Sequence, residues 1–296
     1  MAAKPTPTVR RIELGYELRQ LRERANKTLE EVAASGAVKG MYFAKLQRVE
    51  KGTQTLRTAT ELRDLLTYYG VIDEEDVAAL LEIQREGASQ DWWSPFQSSM
   101  PSGMPRFVGI EAAAQETWAF HPTLVLGLLQ TEGYARRLHE LAQPIEETTS
   151  ESIARNVEVR MRRKDALLRE EDPLLLRAVL WEPALRNLIG DSEIMIGQYD
   201  ELIALAALPN VQIQVLPILP PKFRGHTPTH NFSVLHLQDD LPTSVQVDTP
   251  WSSTSVSDKP REVGRFKRTF TSLMSSALPP DETPDFLKLL SREITR

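Results

Sequence analysis

The sequence predicts an α+β protein made of two domains, an all-α domain at residues 1–88 and a larger α+β domain with a small sheet at residues 89–296. Apolar residues recur every three or four positions through the first domain, which is the spacing of amphipathic helices. Short runs of β-branched and apolar residues, the pattern of strands, occur only in the second. Charge divides the chain in the same way, because the first 70 residues hold 13 Lys and Arg against 8 Asp and Glu, and the remainder holds 22 against 33. A basic N-terminal region is thus predicted in a chain whose net charge is −6.

Composition limits the classes of protein to which the chain can belong. With 41% hydrophobic and 26% charged residues among 296, it has the balance of a globular protein long enough for two domains. We find no apolar run long enough to span a membrane and no apolar core of a signal peptide, so we expect a cytoplasmic protein. Cysteine is absent, which excludes disulfides, thiolate catalysis and thiolate zinc sites.

Local signals predict the first two helices. Residues 1–10 contain two prolines and are expected to form a loose basic arm. Helical spacing over residues 14–25 predicts the first helix. Thr28 followed by Glu31 is a capping box, in which the hydroxyl and the carboxylate each satisfy a free amide. It starts a second helix that ends near residue 34.

Glycines separate the second helix from a third. Gly36 suits a left-handed helix end, and Gly40 adds a second flexible point before a helix predicted at residues 41–51. The inner face of this third helix is predicted to carry Phe43, Leu46 and Val49.

The later elements follow from the same criteria. A fourth helix begins at Thr58 or Thr60, and a fifth covers residues 73–84. Helices of the second domain are predicted at residues 108–120, 132–142, 151–168, 192–208, 259–277 and 284–292. Strands are predicted at residues 174–181, 211–218, 231–237 and 244–247.

The third helix is the candidate nucleic-acid contact, because a helix that enters the major groove needs an apolar face opposite a face of hydrogen-bond donors. The candidate contacts at its entry, flank and outer face are Met41, Tyr42, Phe43, Ala44, Lys45, Gln47, Arg48 and Lys51. We expect Arg48 to pair with guanine or grip a phosphate, and Gln47 to read adenine. Lys45 and Lys51 are expected to contact phosphates. Charge pattern alone is equally compatible with a solvated helix in a small bundle.

Two sequence motifs favour the hypothesis that the third helix binds in the major groove of DNA. Residues 46–52 read LQRVEKG and residues 28–33 read TLEEVA. They are similar to I-S-R-I-E-x-G and T-Q-E-E-L-A, the typical patterns of the Xre-type repressor family. The resemblance covers residues 14–71 and implies a lambda-repressor-like helix-turn-helix domain that binds double-stranded DNA.

One departure from that family pattern lies in the turn between the second and third helices. The turn is longer here, and the surplus lies in SGAVKG, residues 35–40. We therefore expect Lys39 to stand on a small protruding loop and to contact a phosphate.

The second domain carries a separate resemblance. Trp92-Trp93 and residues 107–113, 127–135 and 208–217 are similar to a domain of unknown biochemical function that follows Xre-type units in actinobacterial regulators, including WhiJ-like ones. The resemblance implies control of development or secondary metabolism, often with a small partner protein encoded nearby. It implies no ligand chemistry.

Polar residues of the second domain are interpreted first as structural. Gln130 and Thr131 suit packing and capping better than ligand binding. Arg160 and Arg163 share one face of a predicted helix, where a solvated ion-pair face is the default, although that spacing also suits a phosphate or carboxylate.

Metal and catalytic chemistry find little support in the sequence. His226, His230 and His236 do not share one helix face, so we expect no metal and no cofactor. We find no nucleophile elbow, phosphate loop or dinucleotide fingerprint, and we expect the chain not to be an enzyme.

The leading hypothesis is a sequence-specific transcriptional regulator that binds a palindromic operator as a homodimer. The second domain is expected to dimerise, to bind a small partner protein, or to sense a small-molecule effector. The alternative is a protein-interaction or antitoxin-like module that acts with a small neighbouring protein, with DNA contact secondary.

Overall fold

A computed structural model describes residues 5–219, 229–238, 241–249 and 253–295. The described chain divides into two compact units, one at residues 5–94 and one that runs from Pro95 to Gln238 and resumes at Pro242. The helical region followed by an α+β region is the predicted fold class, which is confirmed. No helix within these described ranges is long and apolar enough to cross a membrane.

The first unit is a bundle of short helices around one apolar core. The described residues form α1 (Pro7–Arg24), α2 (Leu29–Ala34), α3 (Phe43–Glu50), α4 (Ala59–Tyr68) and α5 (Glu74–Gly87). Leu18, Leu46, Leu62, Leu65 and Leu66 lie at its centre with no exposed surface. Each side chain of that size contributes about 1.5–3 kcal/mol when it leaves water.

The start of α1 differs from the predicted loose arm. Thr6 caps the helix by accepting the amide proton of Val9, and Pro7 occupies the first helical position, where its missing N–H costs nothing. Thr8 and Val9 are buried, so the helix begins before residue 10 rather than after it.

The break between the units falls after Ser94, beyond the predicted boundary at residue 88. The reason is Asp91, whose carboxylate accepts hydrogen bonds from the Thr8 hydroxyl at 2.9 Å and from Arg11 Nη2 at 2.8 Å. These bonds hold residues 89–94 against α1.

The second unit is built around a mixed sheet. Its described helices are α6 (Met104–Glu111), α7 (Glu132–Glu146), α8 (Ser150–Leu168), α9 (Glu182–Arg186), α10 (Ser192–Ala206), α11 (Pro260–Ser276) and α12 (Thr283–Ile294). Its described strands are β1 (Glu116–His121), β2 (Leu175–Trp181), β3 (Val211–Leu216), β4 (Phe232–His236), β5 (Ser244–Asp248) and β6 (Thr254–Ser257). The strand order is β3-β2-β1-β4-β5-β6. The first three strands of that order run parallel, and the others pair antiparallel.

The single helix predicted over residues 108–120 was wrong. Residues 116–121 instead form β1, which lies inside the sheet and pairs with β2 on one side and β4 on the other. Trp118 and Phe120 alternate with Thr117 and Ala119, which is strand periodicity, but the run is too short to distinguish from a buried helix without its partners.

The two faces of the sheet differ in polarity. Phe120, Val179, Phe232 and Val245 lie on one face and pack against Phe270 and Leu273 of α11. The ring of Trp118 stacks on that of Phe270 with 5.4 Å between centroids. The opposite face of β1, β4 and β5 carries buried polar side chains, among them Thr117, Ser233 and Gln246.

Candidate nucleic-acid interface

The helix-turn-helix consists of α2, the turn that follows it, and α3. The capping box starts α2, because Glu31 N donates to the Thr28 hydroxyl at 3.1 Å and Thr28 N donates to Glu31 Oε2 at 2.7 Å. Both bonds hold backbone amides that would otherwise be free at the helix start.

The inner face of α3 is held tightly against α1. Leu46 and Val49 are 0% and 2% exposed. Gly15 of α1 lies directly against the backbone at the end of α3, since a Cβ at that position would stand 2.5 Å from the Val49 carbonyl oxygen and 2.7 Å from that of Glu50. The close approach of the two backbones determines which side chains of α3 face outward.

The turn places Lys39 as predicted on an exposed loop. Val38 is buried and anchors the segment, while Lys39 is exposed and Gly40 adopts a φ of +73°. Lys39 forms no ion pair with any residue that the structure describes. Its ammonium is therefore free to meet a phosphate.

Met41 does not belong to the outer face. It is 7% exposed and joins the core of the first unit. The helical wheel misplaced it because α3 begins at Phe43 and not at residue 40 or 41, so Met41 lies in the turn, where its amide donates to Val38 O at 3.1 Å.

Lys45 is also turned inward. Its Nζ lies 2.7 Å from Glu61 Oε1 of α4, and the side chain is buried. Burial raises the pKa of Glu61, but the hydrogen bonds from Lys45 and from the Arg57 amide outweigh it, so the net shift is downward. A lysine that neutralises an internal carboxylate is not available to a phosphate.

Phe43 was predicted both on the inner face of the third helix and among the candidate contacts. It is the first residue of α3 and is 39% exposed, which contradicts the inner-face prediction. Tyr42 before it is 53% exposed. Both rings stand where the helix would enter a groove.

The outer surface of the helix-turn-helix is formed by Lys39, Tyr42, Phe43, Ala44, Gln47, Arg48 and Lys51. We call this set the recognition surface. Within it Arg48 is already oriented, because Nε donates to Gln54 Oε1 at 2.8 Å and Nη2 donates to the Tyr42 hydroxyl at 3.0 Å. Lys51 is exposed and forms no ion pair with the described residues.

Gln54 is a candidate contact that the sequence did not reveal. Gly52 ends α3 in the left-handed region with a φ of +63°, and the chain then turns back so that Thr53 N and Gln54 N donate to Arg48 O. The glycine was visible in the motif, but the return of residues 53–54 to the recognition surface depends on the turn geometry.

The arrangement suits recognition of a duplex. A guanidinium and a carboxamide on adjacent positions can donate to base edges, and ammonium groups at both ends can meet phosphates. The aromatic rings of Tyr42 and Phe43 offer apolar contact to a thymine methyl.

The arginines of the second unit are not a solvated face, contrary to the default expectation. Arg163 is buried and forms a two-point ion pair with the buried Glu111, at 2.6 Å and 3.0 Å. Arg160 is half-buried and donates to Gln130 Oε1 at 2.8 Å. Sequence spacing could not show this, because Glu111 lies on α6. Thr131 caps α7, as interpreted.

The histidine group gives no metal cluster within the described residues. His226 lies outside those residues. His230 is exposed, whereas His236 ends β4 with its ring 4.6 Å from that of Trp118.

Comparison with protein families gave two matches. A family described as a domain of unknown function (DUF5753) matches residues 104–289, and one described as a helix-turn-helix domain matches residues 13–80. Comparison with curated proteins and with solved structures gave no match.

Proposed function

The chain belongs to the DUF5753 family, with a helix-turn-helix domain ahead of the family domain, and on that premise we propose that it is a sequence-specific transcriptional regulator that binds operator DNA. The observation that carries the proposal is the recognition surface. Helix α3, which carries this surface, packs against α1 through apolar side chains, while Gln47 and Arg48 face away from the core. Rigid placement of donors is what direct readout of base edges requires.

In the proposed complex α3 lies in the major groove. Arg48 donates to guanine, with Gln54 and Tyr42 holding its guanidinium in place, and Gln47 pairs with adenine. Lys39 and Lys51 contact phosphates on either side of the helix. Lys45 and Met41 support the helix from within and make no contact with DNA.

The regulator acts as a homodimer on a palindromic site. One short recognition helix contacts too few base pairs for useful selectivity, so two copies read half-sites about 34–36 Å apart along the duplex. The proposal assigns no enzymatic activity to the chain. The finer resemblance to Xre-type repressors and to WhiJ-like actinobacterial regulators, with a small partner protein, rests on the motifs of the two domains and is part of this proposal.

Selection of random DNA fragments by the purified full-length protein tests this function. We expect the retained fragments to share a palindrome, and double replacement of Gln47 and Arg48 by Ala to weaken binding to it by about 30-fold or more, since each good base contact is worth about 1–3 kcal/mol. The matched control replaces Arg19 and Gln20 of α1 by Ala, and its affinity should stay within about twofold.

Two outcomes would overturn the proposal in part or whole. A footprint over a single unsymmetrical half-site contradicts the dimer. If the protein enriches no sequence over random DNA, specific operator binding is contradicted. That result favours the alternative of a protein-interaction or antitoxin-like module.

A further inference from the structure

The carboxyl end of β1 lies at the boundary between the parallel and the antiparallel part of the sheet. β2 pairs parallel with β1 on one side and β4 pairs antiparallel on the other. Ligands of open α/β sheets bind in crevices at the carboxyl ends of strands where the strand order reverses. His121 is the last residue of β1 and stands at this edge.

A row of polar side chains continues across the same edge. Asp248 at the end of β5 accepts hydrogen bonds from Asn231 Nδ2 and Gln246 Nε2, each at 2.6 Å, and from the Thr254 hydroxyl at 2.9 Å. Asp248 forms no ion pair with any residue in the described ranges. Its carboxylate is thus ordered without a cationic partner.

Arg160 of α8 is joined through Gln130 to the chain that follows β1, because Gln130 Nε2 donates to Val125 O at 2.7 Å, four residues after His121. Arg160 also lacks an ion-pair partner in the described part of the chain. Among the residues that the structure describes, its guanidinium donates to Gln130 Oε1, a neutral acceptor, at 2.8 Å. Arg163 on the next turn, by contrast, has a complete two-point carboxylate pair. A half-buried guanidinium with one neutral partner retains donors for an incoming anion.

The charges of these groups also act on one another. Burial lowers the pKa of His121 to about 4, the carboxylate of Asp248 opposes that shift, and the charges of Arg160 and Arg163 add to it. Burial followed by the charge of Arg163 lowers the pKa of Arg160 to about 10. An anion beside Arg160 would relieve this excess of positive charge.

The sheet face beneath the cluster is also polar. Thr117 points to the same side of β1 as His121, because side chains alternate along a strand. Thr117 is 0% exposed, and its hydroxyl oxygen has no hydrogen-bond partner within the described ranges. The next strands continue this face with the buried pair Ser233 and Gln246, which lie opposite each other in the register. Unpaired buried hydroxyls cost free energy unless a ligand or water satisfies them.

We propose that this strand-end cluster, formed by His121, Gln130, Arg160 and Asp248, binds a small organic ligand through an oxyanion, a carboxylate or a phosphate, that pairs with Arg160. Gln130 holds the guanidinium in position. Asp248 and the neutral imidazole of His121 accept hydrogen bonds from hydroxyl or amino groups of the same ligand. The inference deepens the proposed function, on which it rests for its biological meaning, because the cluster would be the effector site of the regulator.

The test titrates inorganic phosphate and, separately, acetate into the full-length protein, with ionic strength held constant by sodium chloride. Either anion should raise the melting temperature, by on the order of 3 °C or more at saturating concentration. Arg160→Gln should abolish the increase. The matched control is Arg155→Gln on the same helix, whose exposed guanidinium pairs with Glu151 at 2.8 Å, and it should retain the increase.

A second measurement locates the binding. The imidazole NMR signals of His121, assigned by their loss in His121→Asn, should shift as the anion is added and should stay constant in Arg160→Gln, whose fold is checked by circular dichroism. A larger response to phosphate identifies a phosphorylated ligand, and a larger response to acetate a carboxylate. Absence of any response to both anions, or an equal response in Arg160→Gln, overturns the proposal. No DNA is present, so these results are independent of the operator assay.

Discussion

Arg22 of α1 and Glu50 at the end of α3 form a two-point ion pair, with Arg22 Nε 2.6 Å from Glu50 Oε1 and Nη2 3.0 Å from Oε2. Arg22 Nη1 also donates to the Lys27 carbonyl oxygen at 2.8 Å, just before α2. One guanidinium therefore joins α1, the start of α2 and the end of α3. Because Glu50 lies within the LQRVEKG motif, the motif serves the orientation of the recognition helix as well as its surface.

Glu50→Gln should destabilise the first unit by about 3 kcal/mol, because it leaves the largely buried guanidinium of Arg22 with only the more distant carboxylate of Glu23, at 3.7 Å. Glu82→Gln on α5 removes an exposed ion pair with Arg85, which water screens, and should leave the stability nearly unchanged. Hydrogen exchange of the α3 amides in urea measures the loss of stability in each variant. Equal protection of these amides from exchange in the two variants would show that the buried ion pair does not contribute to stability.

Gly52→Ala should cost about 3 kcal/mol or more, since it combines left-handed strain with a clash. The new Cβ would stand 2.6 Å from the Cα of Ile12. Gly36→Ala has a similar φ of +68° with open space around it, so strain alone applies and about 1 kcal/mol is expected. Thermal unfolding of both variants separates the cost of backbone strain from the cost of the clash with Ile12. Equal losses of stability in the two variants would contradict the clash.

Lys39→Ala and Lys45→Ala should behave differently in DNA binding. Loss of a phosphate contact at Lys39 should reduce the salt slope of log affinity by about one. Lys45→Ala should leave the slope unchanged and instead lower stability, because Glu61 loses its countercharge. Binding to one operator across a salt series decides this. A reduced slope in Lys45→Ala would place that lysine on the DNA after all.

The second unit should lose stability as the pH falls from about 6.5 to about 4. Burial lowers the pKa of both His121 and His139 to about 4 from 6.5. In that pH window the unfolded chain binds protons that the folded unit does not, so the free energy of unfolding decreases with acidification. His121→Asn should lessen the loss between pH 7 and pH 4.5 in denaturant titrations. The exposed His230→Asn is the control, and an identical loss in both variants would contradict the assignment.

Local patterns predicted most helices because their signals lie within a few residues of each other. The capping box of α2 and the threonine cap of α4 are examples. The error at β1 has a different cause. Residues 116–121 become a strand by pairing with β2 and β4, whose residues are far away in the sequence. The short strand β6 and the short helix α9 were also missed.

The sequence by itself determined that a capped, basic helix-turn-helix precedes an α+β domain, and which helix of the first unit carries Gln47 and Arg48 outward. Only the tertiary structure decided that Lys45 forms an ion pair with Glu61 and Arg163 with Glu111, and that Arg160 donates a hydrogen bond to the neutral side chain of Gln130. The physical reason is that helical periodicity reports neighbours three or four residues apart. The partner of a buried charge is set by packing between elements that are distant in the sequence, and no local pattern contains that information.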